Sequence, residues 1–340
     1  MPVQRVKEAI EEIKKGNMVV LIDDEDRENE GDLIYAATFS TPQKVNFMAT
    51  EARGLICVAI SGKIAKRLDL EPMVHNNSSQ HETAFTVSVD AKEATTGISA
   101  YERDLTIKLL ASPLSTPEDF VKPGHIFPLI AKEGGVLVRT GHTEGSVDLC
   151  RLAGLSEAAV ICEIMNEDGT MARRNDLESF AKKHNLKTLY ISDIVEYRLR
   201  NESLVEKIKE EQIEFFDVKV KKIDFRDHLF NLHTVLQFYA PHETSNVKFH
   251  NISSDKELLL NQKRYKSLLA SIEYLKKNSG NLIFIDSQDK VCDHTREYGI
   301  GAQILKSLGV KNIKLLTSQR GKEFVGLSGF GLDIIEEIEI

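Results

Sequence analysis

Ten residues near the start of the chain, DDEDRENEGD from Asp23 to Asp32, carry seven carboxylates and one arginine. They follow MVVLI, an apolar run with the composition of a buried strand. Three readings of this loop compete. Asn-Glu-Gly-Asp is good turn chemistry, so the loop can be a solvated turn. A calcium loop would start at Asp26 and place Glu28, Glu30 and Gly31 at its third, fifth and sixth positions. It fails, because Ala37 then stands where a bidentate Glu is needed and a strand precedes the loop. The third reading is a magnesium site for a phosphorylated substrate, since Mg²⁺ takes one or two carboxylates and keeps places for water and substrate oxygens. Crowded carboxylates also raise one another's pKa and so create a base. Arg27, set among them, can hold a substrate anion or orient a carboxylate.

The magnesium reading needs a second half-site, and GGVLVRTGHTEGSVDL from Gly134 to Leu149 offers one. It reads as a strand, a glycine-containing turn and a helix start. Backbone N–H groups there, with Arg139 and Thr143, form an anion site suited to a phosphate. His142 lies in the same turn; it is either an ordinary surface histidine or a neutral imidazole completing a metal shell with Glu28. In VICEIMNEDG, Glu163 lies within a predicted strand otherwise made of Val160, Ile161, Cys162, Ile164 and Met165. A Glu among such neighbours is paired, protonated or catalytic, unless it faces outward from an edge strand. PGHIFPL places His125 between a glycine and an apolar run.

The elements that must position these groups follow from periodicity. MVVLI, DLIYAATF, GLICVAIS, AFTVSVD, GGVLVRT and KTLYIS are predicted strands. Predicted helices are the N-terminal segment, TPQKVNFMATEA from Pro42, EGSVDLCRLAGL stopped at Gly154, NDLESFAKKHN capped by Asn175 or Asp176 and ended at Asn185, and DIVEYRLRN. The highly charged ESLVEKIKEEQIE reads as a linker, dividing the chain into domains 1–200 and 201–340. The second half gives strands DVKVKKIDF, LHTVLQFYA, NLIFID and NIKLL with helices KRYKSLLASIEYLKK and IGAQILKSLG. Both halves mix helices with strands, so the fold class is α/β (α+β).

Composition narrows the function classes. The 340 residues are 41% hydrophobic and 28% charged, as in a globular protein of two ordinary domains. The N-terminus has helical spacing and no apolar core of a signal peptide, and no run approaches a membrane span. Four scattered cysteines without a C-x-x-C pair suit reduced thiols, so the expectation is a cytoplasmic protein. With a net charge of −8 and no basic stripe, nucleic acid is not an expected partner.

Taken together, DDEDRENEGD, TTGISAYERDLTI, FVKPGHIFPL, RTGHTEGSVDLCRLAGL and ICEIMNEDGTMAR resemble 3,4-dihydroxy-2-butanone 4-phosphate synthase of riboflavin biosynthesis. These stretches fall in the family's order and span nearly all of residues 1–200. The resemblance implies conversion of D-ribulose 5-phosphate to the four-carbon product plus formate, with Mg²⁺ (or Mn²⁺), by a homodimer whose site lies near the subunit interface. It implies Glu28 and His142 as metal ligands. Arg27, Glu28, Asp32 and Glu163 are implied as substrate contacts, with Arg139, Thr140, Gly141, His142 and Thr143 as the phosphate cradle. It implies catalytic roles for His125, Glu163 and Asp32, with Cys57 lining the site. Glu102 departs from the Asp usual in the family, keeping the charge on a longer side chain.

Residues 293–340 resemble the end of GTP cyclohydrolase II, a domain often fused behind the synthase. That family's zinc site needs three clustered cysteines, whereas residues 201–291 contain none and only Cys292 follows. The Arg-Gln-Glu-Gly-Arg-Gly stretch is replaced around NLIFIDSQDK, and Asn-Asn-Pro-Lys by SQRGK. The irregular spacing of His228, His233, His242 and His250 reads as surface histidines. GLSGFGL is a weak nucleotide signal. The expectation is a second domain that keeps its fold, holds no zinc and lacks the cyclohydrolase chemistry.

Overall fold

A computed structural model describes residues 2–23, 27–74, 76–79, 83–228, 230–239, 243–286, 294–318 and 332–340. Asp24, Glu25, Asp26, His242, Cys292, all of SQDK, most of SQRGK and nearly all of GLSGFGL lie outside the described residues. The chain divides into two compact units, Met1–Tyr197 and Arg198–Ile340.

In the first unit the strands are β1 (Val19–Ile22), β2 (Gly31–Ala36), β3 (Cys57–Ile60), β4 (Val89–Ala91), β5 (Phe120–Ile130), β6 (Ala158–Glu163) and β7 (Lys187–Tyr190). They form one seven-stranded mixed sheet in the order β4-β5-β3-β6-β2-β1-β7. Its helices are α1 (Pro2–Lys14), α2 (Pro42–Phe47), α3 (Gly62–Arg67), α4 (Ala100–Ala111), α5 (His142–Leu152) and α6 (Arg174–Lys183), followed by α7 (Ile191–Asn201). Strands β1, β3 and most of β6 are apolar and buried, as central strands covered by other layers should be. Val20, Leu33, Tyr35, Val58, Val160 and Leu110 share one core under the helices.

Several sequence expectations need correction. GGVLVRT is not a strand. Gly134 and Gly135 both take positive φ, at 93° and 63°, and the chain turns through a short 3₁₀ helix at Gly135–Leu137. A Cβ on Gly135 would stand 2.3 Å from the Asp148 carboxylate, which accepts from Val136 N at 2.9 Å. In AFTVSVD only Val89 and Asp90 belong to a named strand, with isolated bridges at Phe85 and Thr86. The helix from Pro42, capped by Thr41, widens into a π turn over Met48–Ala52. Helix α6 is capped at Arg173; Asp176 instead reaches back from the third helical position to accept from Arg173 N at 3.0 Å.

The second unit has strands β8 (Val205–Phe215), β9 (Val218–Asp227), β10 (Leu232–Phe238), β11 (Thr244–Asn251), β12 (Gly280–Ile285), β13 (Asn312–Thr317) and β14 (Asp333–Glu339). Their order in one sheet is β14-β13-β11-β12-β10-β9-β8, with helices α8 (Asp255–Leu260), α9 (Gln262–Asn278) and α10 (His294–Ser307). The stretch read as a linker is β8. Its charge is matched across a hairpin, Glu210 with Lys221 at 2.7 Å and Glu206 with Arg226 at 2.8 Å. Phe216 and Asp217 both adopt positive φ at the turn, the geometry of a tight two-residue hairpin.

Candidate active site

Antiparallel pairing of β1 and β2 sets Ile22 opposite Gly31 and Leu21 opposite Asp32, so the acidic loop closes the end of this hairpin. Asp23 N donates to Glu30 O at 3.0 Å across the mouth. Arg173 ties down the loop from α6, donating to the carbonyls of Glu28 at 2.6 Å and Asn29 at 2.7 Å. On the next strand over, β6 aligns Glu163 directly with Asp32, and β3 aligns Cys57 with Ile161. Three neighbouring strands therefore end together, with Asp32, Glu163 and Cys57 at that end. Glu163 terminates an internal strand, which rules out the edge-strand reading of this residue.

Helix α5 supplies the other wall. Gly145 lets it lie close to β1, for a Cβ there would stand 2.9 Å from a Leu21 methyl. This brings His142, the first helical residue, over the acidic loop. Its Nδ1 lies 3.6 Å from Glu28 Oε2 and 3.8 Å from Asp32 Oδ1. Arg27 bridges the carboxylates, donating to both oxygens of Glu28 at 2.8 and 3.0 Å and also to Asp23. Arg139 is held by Glu144, Nη1 to Oε2 at 2.6 Å, and Glu144 also accepts from Lys132 N at 3.0 Å. A Cβ on Gly141 would meet Arg139 Nη1 at 2.2 Å, so a side chain there would push the guanidinium aside.

The electrostatics divide the acids into different protonation states. Burial pushes the Asp32 carboxyl up to about 7, helped by repulsion from Glu163, Glu28 and Glu30 and opposed by His142. Burial also raises Glu163, with Glu30 and Glu28 adding to it. For Glu28 burial acts upward too but is outweighed by His142 and Arg27, which hold its carboxyl down at about 2. Burial works to lower His142, yet Asp32, Glu28 and Asp23 outweigh it and lift the imidazolium to about 9. The site thus contains one firmly ionised carboxylate, Glu28, beside Asp32, which can carry a proton near neutral pH, and Glu163, which is shifted in the same direction as Asp32.

Oxygen donors beside an imidazole suit a hard divalent cation. One donor atom each from Asp23, Glu28 and His142 lie within 4.8 Å of one another, the only such group found among the described residues. His142 Nε2 and Asp32 Oδ1 are buried with no hydrogen-bond partner. Buried polar atoms of that kind call for a ligand. The residues fit a metal. Beside them a cavity of about 100 Å³ is lined by Arg27, Glu28, Asp32, Cys57, Arg139, His142, Thr143 and Glu163, with Leu55, Thr83, Phe85, Leu129 and Ile161.

Residues 7–197 match the family model for 3,4-dihydroxy-2-butanone 4-phosphate synthase, and residues 249–339 match the one for GTP cyclohydrolase II. The first match covers more than half of the chain and all of the cavity. The chain belongs to the 3,4-dihydroxy-2-butanone 4-phosphate synthase family. A synthase of that name from Sulfurospirillum multivorans is 61% identical over 99% of this chain and 94% of its own length. The crystal structure of a two-domain synthase from A. baumannii superposes with a TM-score of 0.80 at 41% identity, covering 98% of each chain. A further synthase structure, in complex with two magnesium ions, matches at TM-score 0.56 and 41% identity over 58% of this chain and 97% of its own.

Not every expected residue of the synthase joins the cavity. Thr140 and Gly141 lead into α5 beside it. His125 is absent from its lining; it stands exposed on β5, bound to Asp90. Burial first, then Asp32 and Glu163, push the Cys57 thiol well above its ordinary range, so it remains a neutral thiol in the wall. Sequence reasoning missed Asp23 as a donor, Glu144 as the anchor of Arg139, and Arg173 as the tether of the loop. Only Asp23 left a signal, being the first acid after the strand.

In the second unit the surface reading of two histidines is overturned. His233 is 1% exposed, accepting at Nδ1 from Asp286 N at 3.2 Å, and His250 is 7% exposed with its ring edge-on to Phe284. Their alternation on β10 and β11 points them inward, which spacing along the whole domain did not reveal. A cleft of about 340 Å³ there is lined by Lys248, His250, Lys263 and Arg264 among others.

Proposed function

We propose that this synthase converts D-ribulose 5-phosphate to L-3,4-dihydroxy-2-butanone 4-phosphate and formate in riboflavin biosynthesis, by enolisation, loss of water, carbon migration and expulsion of formate. The observation that carries the reading is the convergence of Asp23, Glu28 and His142 donor atoms beside the aligned Asp32 and Glu163. Glu28 and His142, joined by Asp23, hold Mg²⁺ (or Mn²⁺), which when bound supplies Lewis-acid polarisation of the substrate oxygens. Arg139, Thr140, Gly141, His142 and Thr143 cradle the phosphate, using the α5 N-terminus and an arginine already fixed by Glu144.

Arg27, Glu28, Asp32 and Glu163 surround the sugar chain. Asp32 at Oδ1 and Glu163 at its carboxylate exchange protons with the substrate, since burial and neighbouring carboxylates raise both, Asp32 to about 7. Leu55, Phe85 and Ile161 exclude water from one side. Cys57 contributes a neutral thiol to the wall. His125 completes the catalytic set from a second copy in a homodimer, which accords with its position outside the cavity of its own chain. Exposed Val87, Ile98, Tyr101 and Val121, on or near the elements around His125, supply apolar surface for that contact. No helix is long and apolar enough to cross a membrane. We place the enzyme in the cytoplasm, with no nucleic-acid or membrane partner. Residues 1–200 are the synthase domain; residues 201–340 form a GTP cyclohydrolase II-like domain without zinc or cyclohydrolase activity.

The test is substitution of the ligands. Glu28→Gln and His142→Ala should each abolish turnover of ribulose 5-phosphate at saturating Mg²⁺ while circular dichroism remains that of the parent. Turnover at the parent rate in either variant would sink the assignment.

A further inference from the structure

The stretch TTGISAYERD takes no part in the cavity, yet it brings Gly97 up against His125. Asp90, 7% exposed on β4, accepts two hydrogen bonds from that one residue. Its Oδ1 takes His125 N at 2.8 Å and its Oδ2 contacts His125 Nδ1 at 2.7 Å. A carboxylate so placed fixes the proton on Nδ1 and leaves Nε2 as the working atom of the ring. Two glycines bring the partners this close. Gly124 presses β5 on β4, where a Cβ would lie 2.1 Å from Val89 C, and Gly97 lies on the pair itself. At Gly97 φ is +82°, and a Cβ would stand 1.9 Å from Asp90 Oδ2 and 2.7 Å from His125 Nδ1.

The loop bearing Gly97 is pinned from α4. Glu102 accepts from Thr95 N and Thr95 Oγ1, both at 2.7 Å, from Thr96 N at 3.2 Å and from Ser99 Oγ at 2.9 Å. Its longer side chain, the departure noted in the sequence, spans this loop and still leaves Ser99 Oγ to cap the helix by accepting from Glu102 N at 3.2 Å.

We propose that Asp90 is the positioning residue for His125, and that Glu102, through Gly97 and its loop, keeps Asp90 in place. The inference rests on the reading of His125 as a catalytic residue. Asp90 sets the tautomer and direction of the imidazole, so that Nε2 meets the substrate with its lone pair or its proton correctly presented.

The experiment is steady-state kinetics on the full chain with ribulose 5-phosphate and Mg²⁺, for Asp90→Asn, His125→Gln and the double variant. Asp90→Asn should lower kcat about 10- to 100-fold with KM within about twofold, a loss of the size removed with a misdirected acid–base group. In the His125→Gln background the same substitution should change nothing further, because its effect passes through the imidazole. Parent-level kcat in His125→Gln would overturn the reading of His125 itself. An inactive His125→Gln beside a fully active Asp90→Asn would overturn the positioning role alone, as would an additive loss in the double variant. Should Asp90→Asn fail to fold, Glu102→Ala at its exposed position decides: a lowered kcat with KM kept supports the clamp, and parent kinetics overturn it.

Discussion

Glu144 is a buried carboxylate beside the cavity, and replacing it with Gln tests the preorganisation of the proposed phosphate cradle. Glu144 is 1% exposed and Arg139 17%, and they meet at 2.6 Å. Gln keeps an acceptor for Lys132 N but removes the charge opposite Arg139. Loss of a charge-assisted hydrogen bond in such surroundings costs about 2–3 kcal/mol. For a unit of this size that lowers Tm by ~5–10 °C, readable by differential scanning calorimetry. The guanidinium is no longer aimed by its partner, so KM for ribulose 5-phosphate should rise about 10-fold or more, at 1.4 kcal/mol per decade. The fall in kcat should be smaller, because the phosphate is remote from the reacting carbons. A variant with parental KM and parental Tm would refute the claim that Glu144 holds Arg139 for the phosphate.

Two further outcomes are expected. In the second unit, burial first, then Arg264 and Lys248, lower His250 to about 4, against 6.5 in an unfolded chain. The unfolded state then binds the extra proton between those values, so this stability is complete above pH 6.5 and is lost as pH falls toward 4. Urea titrations of the full chain at pH 7 and pH 4.5 should show His250→Gln losing about 2–3 kcal/mol less than the parent; equal losses would contradict the burial of a neutral ring. Cys57, 5% exposed and held as a neutral thiol, should resist iodoacetamide at pH 8 in the folded protein, as mapped by mass spectrometry; rapid alkylation there would overturn the assignment.

What the sequence disclosed was local. Strands rich in Val and Ile and helices with caps were legible, and so was the clustering of acids at a strand end. Alignment across strands was not. That Asp32 faces Glu163 depends on the register of β2 against β6, which no single stretch encodes. The same limit made β8 look like a linker, since the charges of Glu206 and Glu210 are matched only once β9 lies alongside. GGVLVRT misled because its Val and Leu content suggests a strand, while the two glycines before it turn the chain. Asp90 was invisible as a partner of His125, 35 residues away along the chain.

The central claim is a synthase whose second domain does not process GTP. Formate release tests it in one format, from ribulose 5-phosphate with Mg²⁺ and in parallel from GTP with Mg²⁺ and Zn²⁺. The expected result is formate from the sugar phosphate alone, abolished by EDTA and restored by Mg²⁺. No formate from ribulose 5-phosphate, or formate from GTP, would contradict it.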